Sequence, residues 1–136
     1  MLEWKDQYII GNRFIDSEHK ILFEIANEVS SASAVSIPRL KEYFFELLQY
    51  TSMHFANEEM VMRDINYEAL QSHQKSHADL IQAMKNLLVQ YHSKGELQTH
   101  LEEFMNRWLV GHILREDLAW RPVYVAWVNR RLRAMS

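Results

Sequence analysis

Cysteine is absent from this chain, which removes disulfides, thiolate metal sites, iron–sulfur clusters and thiol catalysis from consideration and gives no sign of an oxidising compartment. Glycine occurs three times and proline twice in 136 residues, so little interrupts regular structure, and the apolar residues recur near every 3.5 positions almost throughout. This is an all-α pattern. No apolar run approaches ~18 residues, and the N-terminus Met-Leu-Glu-Trp-Lys-Asp lacks both a basic start and a following apolar block. A soluble cytoplasmic domain without membrane contact is expected. The chain is long enough to bury roughly two-thirds of its unfolded surface without cross-links. Acids outnumber bases before residue 118. The net charge is −3, and the four arginines 121, 130, 131 and 133 are the only charged side chains after Asp117, which leaves −7 for the rest. No glycine-rich phosphate loop is present, and bases before Arg121 are mixed with acids, so nucleotide or nucleic-acid binding by the body of the chain is not expected.

Histidine is not scarce. His54 and Glu58 are four apart, as are His73 and His77, so on helices each pair stacks on one face and can reach a common point. His19 precedes them, and His112 and Asp117 follow. The apolar stripes carry all of these inward. A first helix, capped by Asp16 or Ser17, has the stripe Ile15, His19, Leu22, Ala26, Val29. A second, from about 38 to 62 with Pro38 in its first turn, carries Leu40, Phe44, Leu47, Thr51, His54, Glu58, Val61. A third, ending near Tyr91, carries Leu70, His73, His77, Leu80, Met84, Leu87. A fourth carries Leu97, Leu101, Met105, Trp108 and His112. Short loops join them, which predicts an up-down-up-down four-helix bundle with an N-terminal arm of about 15 residues packed across it.

Antiparallel order then brings His19, His54, Glu58, His73, His77, His112 and Asp117 to one end. A single inward histidine is ordinarily a core residue with a hydrogen-bond partner, but seven such groups at one level would leave several buried polar atoms and two buried charges unpaired. Five imidazoles and two carboxylates exceed one octahedral sphere and suit two ions bridged by both carboxylates, with three histidines on one ion and two on the other. High coordination by nitrogen and carboxylate favours iron, ahead of manganese or cobalt, over zinc, magnesium or calcium. His112 and Asp117 are five apart, about 140° on a regular α-helix. Both can face one site only if the helix widens to an i to i+5 turn or breaks between His112 and Leu118.

The ordered set resembles the bacterial hemerythrins. The likeness runs from about Trp4 to Asp117 through Gly11, Ile15-Asp-Ser-Glu-His19-Lys-Ile-Leu-Phe23, His54-Phe55 with Glu58-Glu59, His73-x-x-x-His77, and Trp108-Leu109-Val-Gly-His112-Ile113 with Asp117. It implies an oxo- or hydroxo-bridged pair of iron ions. His73, His77 and His112 would hold the six-coordinate iron, His19 and His54 the five-coordinate one, with Glu58 and Asp117 as bridges. It also implies reversible O2 binding at the open iron, in a pocket lined by Leu22, Phe55, Trp108, Leu109 and Ile113, which nitric oxide or another small ligand could share. Oxygen carriage, storage or sensing follows, with no catalytic residues. A diiron oxidase, peroxidase or nitric-oxide-handling enzyme is the alternative. Family members usually end soon after the bridging aspartate, so 1–117 reads as the bundle and 118–136 as an extension. That extension is either a short helix covering the metal end through Trp120, Tyr124 and Trp127, or a transmitter to a dimer partner, an acidic surface or an enzymatic output domain such as a diguanylate cyclase.

Overall fold

A computed structural model describes residues 2–136. Four helices form the body: α1 (Arg13–Ser31), α2 (Ile37–Asp64), α3 (Leu70–Gln90) and α4 (Lys94–Phe104). Each packs on the next, and α4 returns to α1, closing a four-helix bundle. The chain then continues without a loop. It passes through a widened π turn (Met105–Leu109), a short α segment (Val110–His112), a second π turn (Ile113–Asp117) and a 3₁₀ turn (Leu118–Trp120) before the C-terminal helix, Arg121–Ala134. Among the described residues, no helix is long and apolar enough to cross a membrane.

Helix starts follow local chemistry. Ser36 and Ser93 accept from the backbone N–H groups of Arg39 and Glu96 and cap α2 and α4, satisfying donors that the first turn cannot. α1 begins a turn earlier than its sequence predicts. Its cap is Asn12, whose side chain accepts from the Ile15 N–H at 3.0 Å, rather than Asp16 or Ser17. Asp16 instead turns back to the arm and accepts from the N–H groups of Ile10 at 2.9 Å and Gly11 at 3.0 Å. Gly11 has φ +103°, a left-handed conformation that a side chain would strain. At its other end the arm is held by two bonds between Leu2 and Asn27, each 2.8 Å, and Trp4 and Tyr8 meet Phe23 edge-on.

The buried side chains fall into two apolar groups. The larger fills the bundle with Leu22, Phe44, Leu47, Phe55, Leu80, Leu101, Leu109, Ile113 and their neighbours. The smaller closes one end with Ile10, Ile15, Met62, Ile65 and Trp120, against which Leu118, Val123, Tyr124 and Trp127 pack. On each of α1, α2 and α3 the polar buried residues lie between contributors to these two groups. Ile15 precedes His19 and Leu22 follows it; Phe55 precedes Glu58 and Met62 follows it. A polar layer is thus sealed on both sides by apolar side chains.

Candidate metal centre

That layer holds His19, His54, Glu58, His73, His77, His112 and Asp117, each at most 3% exposed. The structure brings all seven together. One cluster joins donor atoms of Glu58, His73, His77, His112 and Asp117, and a second joins His19, His54 and Glu58, the donors in each lying within 4.8 Å of one another. The distances assign the carboxylate oxygens. Glu58 Oε1 is 2.8 Å from His73 Nε2 and 3.3 Å from His77 Nε2, while Oε2 is 3.4 Å from His19 Nε2 and 3.5 Å from His54 Nε2. Asp117 Oδ1 is 2.9 Å from both His73 Nε2 and His112 Nε2, while Oδ2 is 3.3 Å from His19 Nε2. Each carboxylate therefore gives one oxygen to a three-histidine group and the other to a two-histidine group.

The second π turn makes this possible. It closes Ile113–Asp117 as an i to i+5 turn, so residues five apart, His112 and Asp117, come to the same face, as the expected widening required.

The donor set fits metal ions better than hydrogen bonds. The Nε2 atoms of His19, His73, His77 and His112 and all four carboxylate oxygens of Glu58 and Asp117 are buried with no hydrogen-bond partner among the described residues, despite the short separations. Ligands about 2.1 Å from a common ion stand about 3 Å from each other when at right angles, which is the spacing seen here. Buried polar atoms that neither pair nor reach water cost ~1–3 kcal/mol each, and lone pairs converging on shared points remove that cost when ions occupy them.

Three carboxylates that the sequence reading passed over hold the rings from behind. Glu18 Oε1 lies 2.9 Å from His54 Nδ1, Glu59 Oε2 lies 2.8 Å from His77 Nδ1, and Glu116 Oε2 lies 2.6 Å from His112 Nδ1. A carboxylate accepts, so each Nδ1 carries the proton and each Nε2 faces inward with a free lone pair. Asn57 donates to Glu18 at 2.8 Å and Ser76 to Glu116 at 2.6 Å, fixing these acceptors in turn.

A family model described as the hemerythrin HHE cation binding domain matches residues 10–124. The chain belongs to the hemerythrin family. It is 30% identical over 120 residues to a bacteriohemerythrin of Pseudomonas aeruginosa, covering 88% of this chain and 78% of that one. It is 28% identical over 119 residues to a myohemerythrin of Theromyzon tessulatum, covering 88% and 90%. A crystal structure of a hemerythrin point mutant superposes with a TM-score of 0.77 at 21% identity, covering 91% of this chain and 97% of that one, which supports the same fold.

In this hemerythrin fold the residues named for a gas pocket divide. Leu22, Phe55, Leu109 and Ile113 are buried beside the polar layer, and Phe55 stacks on the His77 ring with centroids 3.8 Å apart. Along Thr51, Phe55, Leu80, Met84, Phe104, Met105 and Leu109 runs an apolar seam with no room for a water molecule. Trp108 is the exception. It is 52% exposed and forms a wall of a surface cleft of about 360 Å³ with Leu80, Ala83, Arg115 and Glu116. The expected stripe Leu101, Met105, Trp108, His112 assumed unbroken α-helix. The π turn over Met105–Leu109 inserts a residue, so Leu109 takes the inward place and Trp108 turns out. Accordingly, Leu109→Ala should lower stability by about 2–5 kcal/mol, and Trp108→Ala by less than about 1 kcal/mol, in urea melts. Equal losses would return Trp108 to the core.

Without metal, the buried charges must compensate each other. Burial opposes the imidazolium form of His19 and His73, but the adjacent negative carboxylates of Asp117 and Glu58 outweigh it and push each up to about 10. Burial likewise opposes ionisation of Glu58 and Asp117, yet the surrounding imidazoles hold both below the usual carboxylate range. The two carboxylates also repel one another across the site, which works against ionising Asp117. A metal-free site is thus a proton-loaded site.

Proposed function

We propose that the seven donors hold two iron ions and that the protein binds O2 reversibly at them. The observation that carries this reading is the division of the carboxylate oxygens: Glu58 turns Oε1 to His73 and His77 and Oε2 to His19 and His54, and Asp117 turns Oδ1 to His73 and His112 and Oδ2 to His19. A pair of ferrous ions held there would supply two electrons to O2. The chain's own residues do the rest. Glu58 and Asp117 fix the separation of the two positions. Glu18, Glu59 and Glu116 hold the rings of His54, His77 and His112 with Nε2 turned inward. Leu22, Phe55, Leu109 and Ile113 keep water from the open side. Turnover is not served by the buried hydroxyl of Thr51, because it donates to the Leu47 carbonyl at 2.8 Å instead of pointing at the site; this supports binding over an oxidase or peroxidase.

The test is metal analysis followed by gas titration. Purified protein should carry close to two irons per chain. The reduced form should develop ferric charge-transfer absorption under O2 and lose it under argon, and nitric oxide should compete for the same position. One zinc per chain without such absorption would overturn the proposal. A sensing role is the second reading, favoured by Trp120, which is fully buried three residues after Asp117 and leads into the C-terminal helix. Slow autoxidation supports carriage or storage, fast autoxidation supports sensing, and substrate-dependent turnover supports an enzyme.

A further inference from the structure

The surface cleft of about 360 Å³ between α3 and the segment from Trp108 to Glu116 is within the size range of small-molecule sites. α3 lines it with Ser76, Leu80 and Ala83, spaced four and three, and the facing segment presents Trp108 and Arg115. Leu80, Ala83 and the indole of Trp108 give it apolar surface. With 52% of its surface in solvent, Trp108 is far more exposed than this residue type ordinarily is.

Three charged side chains, Asp79, Arg115 and Glu116, stand in the walls. Both carboxylates are already engaged. Asp79 accepts from Lys75 at 3.0 Å. Glu116 uses both oxygens, Oε1 taking the Ser76 hydroxyl and Oε2 the His112 ring, each at 2.6 Å. Arg115 has no hydrogen bond or ion pair among the described residues. Its guanidinium is nonetheless seated. It lies over Gly111, where a Cβ would stand 2.9 Å from one guanidinium nitrogen and 3.2 Å from the central carbon. The missing side chain at 111 is what lets the planar fork rest there. A guanidinium matches a carboxylate with two parallel donors, and the one unanswered charge in the cleft is of that kind.

We propose that the cleft binds a small aromatic carboxylate, with its ring against Trp108, Leu80 and Ala83 and its carboxylate on the Arg115 guanidinium. An amine carrying the same ring fits less well. The indole face would attract it, but Arg115 would repel it and both acids have partners. An inorganic anion would leave the apolar walls unused. His112 also lines the cleft, so the occupant would lie beside a ring of the metal layer. The proposal rests on the cleft alone and stands or falls independently of the oxygen-binding reading.

The full chain, as purified, is titrated by calorimetry with 2-naphthoate, its neutral twin 2-naphthamide, its cationic twin 2-naphthylmethylamine, and inorganic phosphate. Naphthoate should bind with a Kd below about 1 mM, about tenfold or more tighter than the other three. Arg115→Gln should reduce naphthoate to the level of the amide, and Trp108→Ala should weaken it about tenfold. Gly111→Ala is the most telling variant. It should keep or raise the Tm, because Ala favours helix, yet weaken naphthoate by displacing the guanidinium. Circular dichroism checks that helix content is kept in all three. No naphthoate binding, equal binding of the twins, or undiminished binding in any of the three variants overturns the proposal. Tighter binding of the amine or of phosphate does so too. Naphthoate that binds all variants alike and shifts the metal's absorption would belong to the metal layer instead, and also overturns it.

Discussion

If the seven donors hold two ions as proposed, Glu58→Ala should empty both positions at once. Oε1 of this residue serves His73 and His77 while Oε2 serves His19 and His54, so its removal takes a donor from each ion and releases the constraint on their separation. Metal content should fall from about two ions per chain to well below one, because ligand sets of this kind bind cooperatively with folding. The stability loss should also be large. Removing one member of a buried charged cluster costs about 3–5 kcal/mol, since the imidazoles left behind keep their burial and lose their counter-charge. Glu59→Ala is the informative contrast. It removes only the acceptor behind His77, and lowers metal affinity about 10–100-fold while leaving the bridging intact. Elemental analysis and thermal melts of the two variants separate the roles; full metal retention in Glu58→Ala would show that the carboxylate does not bridge.

Between pH 6.5 and 10, metal-free and metal-loaded protein should respond to pH in opposite directions. His19 and His73 are raised from 6.5 to about 10 in the folded chain. Their contribution to stability without metal is therefore fully present below pH 6.5 and is lost as pH rises through about 10. For His19 alone the effect is on the order of 4–5 kcal/mol. Glu58 and Asp117 are depressed from 4.5 and 3.8, so their contribution is present above those values and is lost in acid. The metal-free protein should then have its highest Tm between about pH 5 and 6.5. Coordination demands neutral imidazole, so metal-loaded protein gains affinity over the range in which the metal-free form weakens. The gap between the two Tm values should widen steadily from pH 6.5 towards 10. Parallel curves would mean that the histidines are not protonated when the metals leave.

The ligand layer was legible because α1, α2 and α3 are regular. His19, His54, Glu58, His73 and His77 lie on stripes that repeat every three or four residues, and the bundle's alternating directions bring them to one level. The last helix was half legible. The five-residue gap from His112 to Asp117 announced a widened turn or a break, since a regular α-helix does not put both on one face. The earlier widening at Met105–Leu109 left no such mark, because Trp108 and Leu109 are both apolar and either could fill the inward place. The three supporting carboxylates were hidden for a different reason. Glu18, Glu59 and Glu116 each sit beside a ligand in sequence, where charged residues are ordinarily taken for a solvated face. His112 and Glu116 are four apart, however, and that spacing was a usable signal.

The two π turns set the phase of the last helix. Were the wide turn over 113–117 to close to ordinary α-helix with every residue kept, the backbone would show no gap, yet everything downstream would swing by about 100°. Asp117 would leave the donor cluster, Trp120 would leave the end of the bundle, and the C-terminal helix would point elsewhere, while the other three helices kept their packing. The angular phase between the metal layer and the tail is thus set by one extra residue.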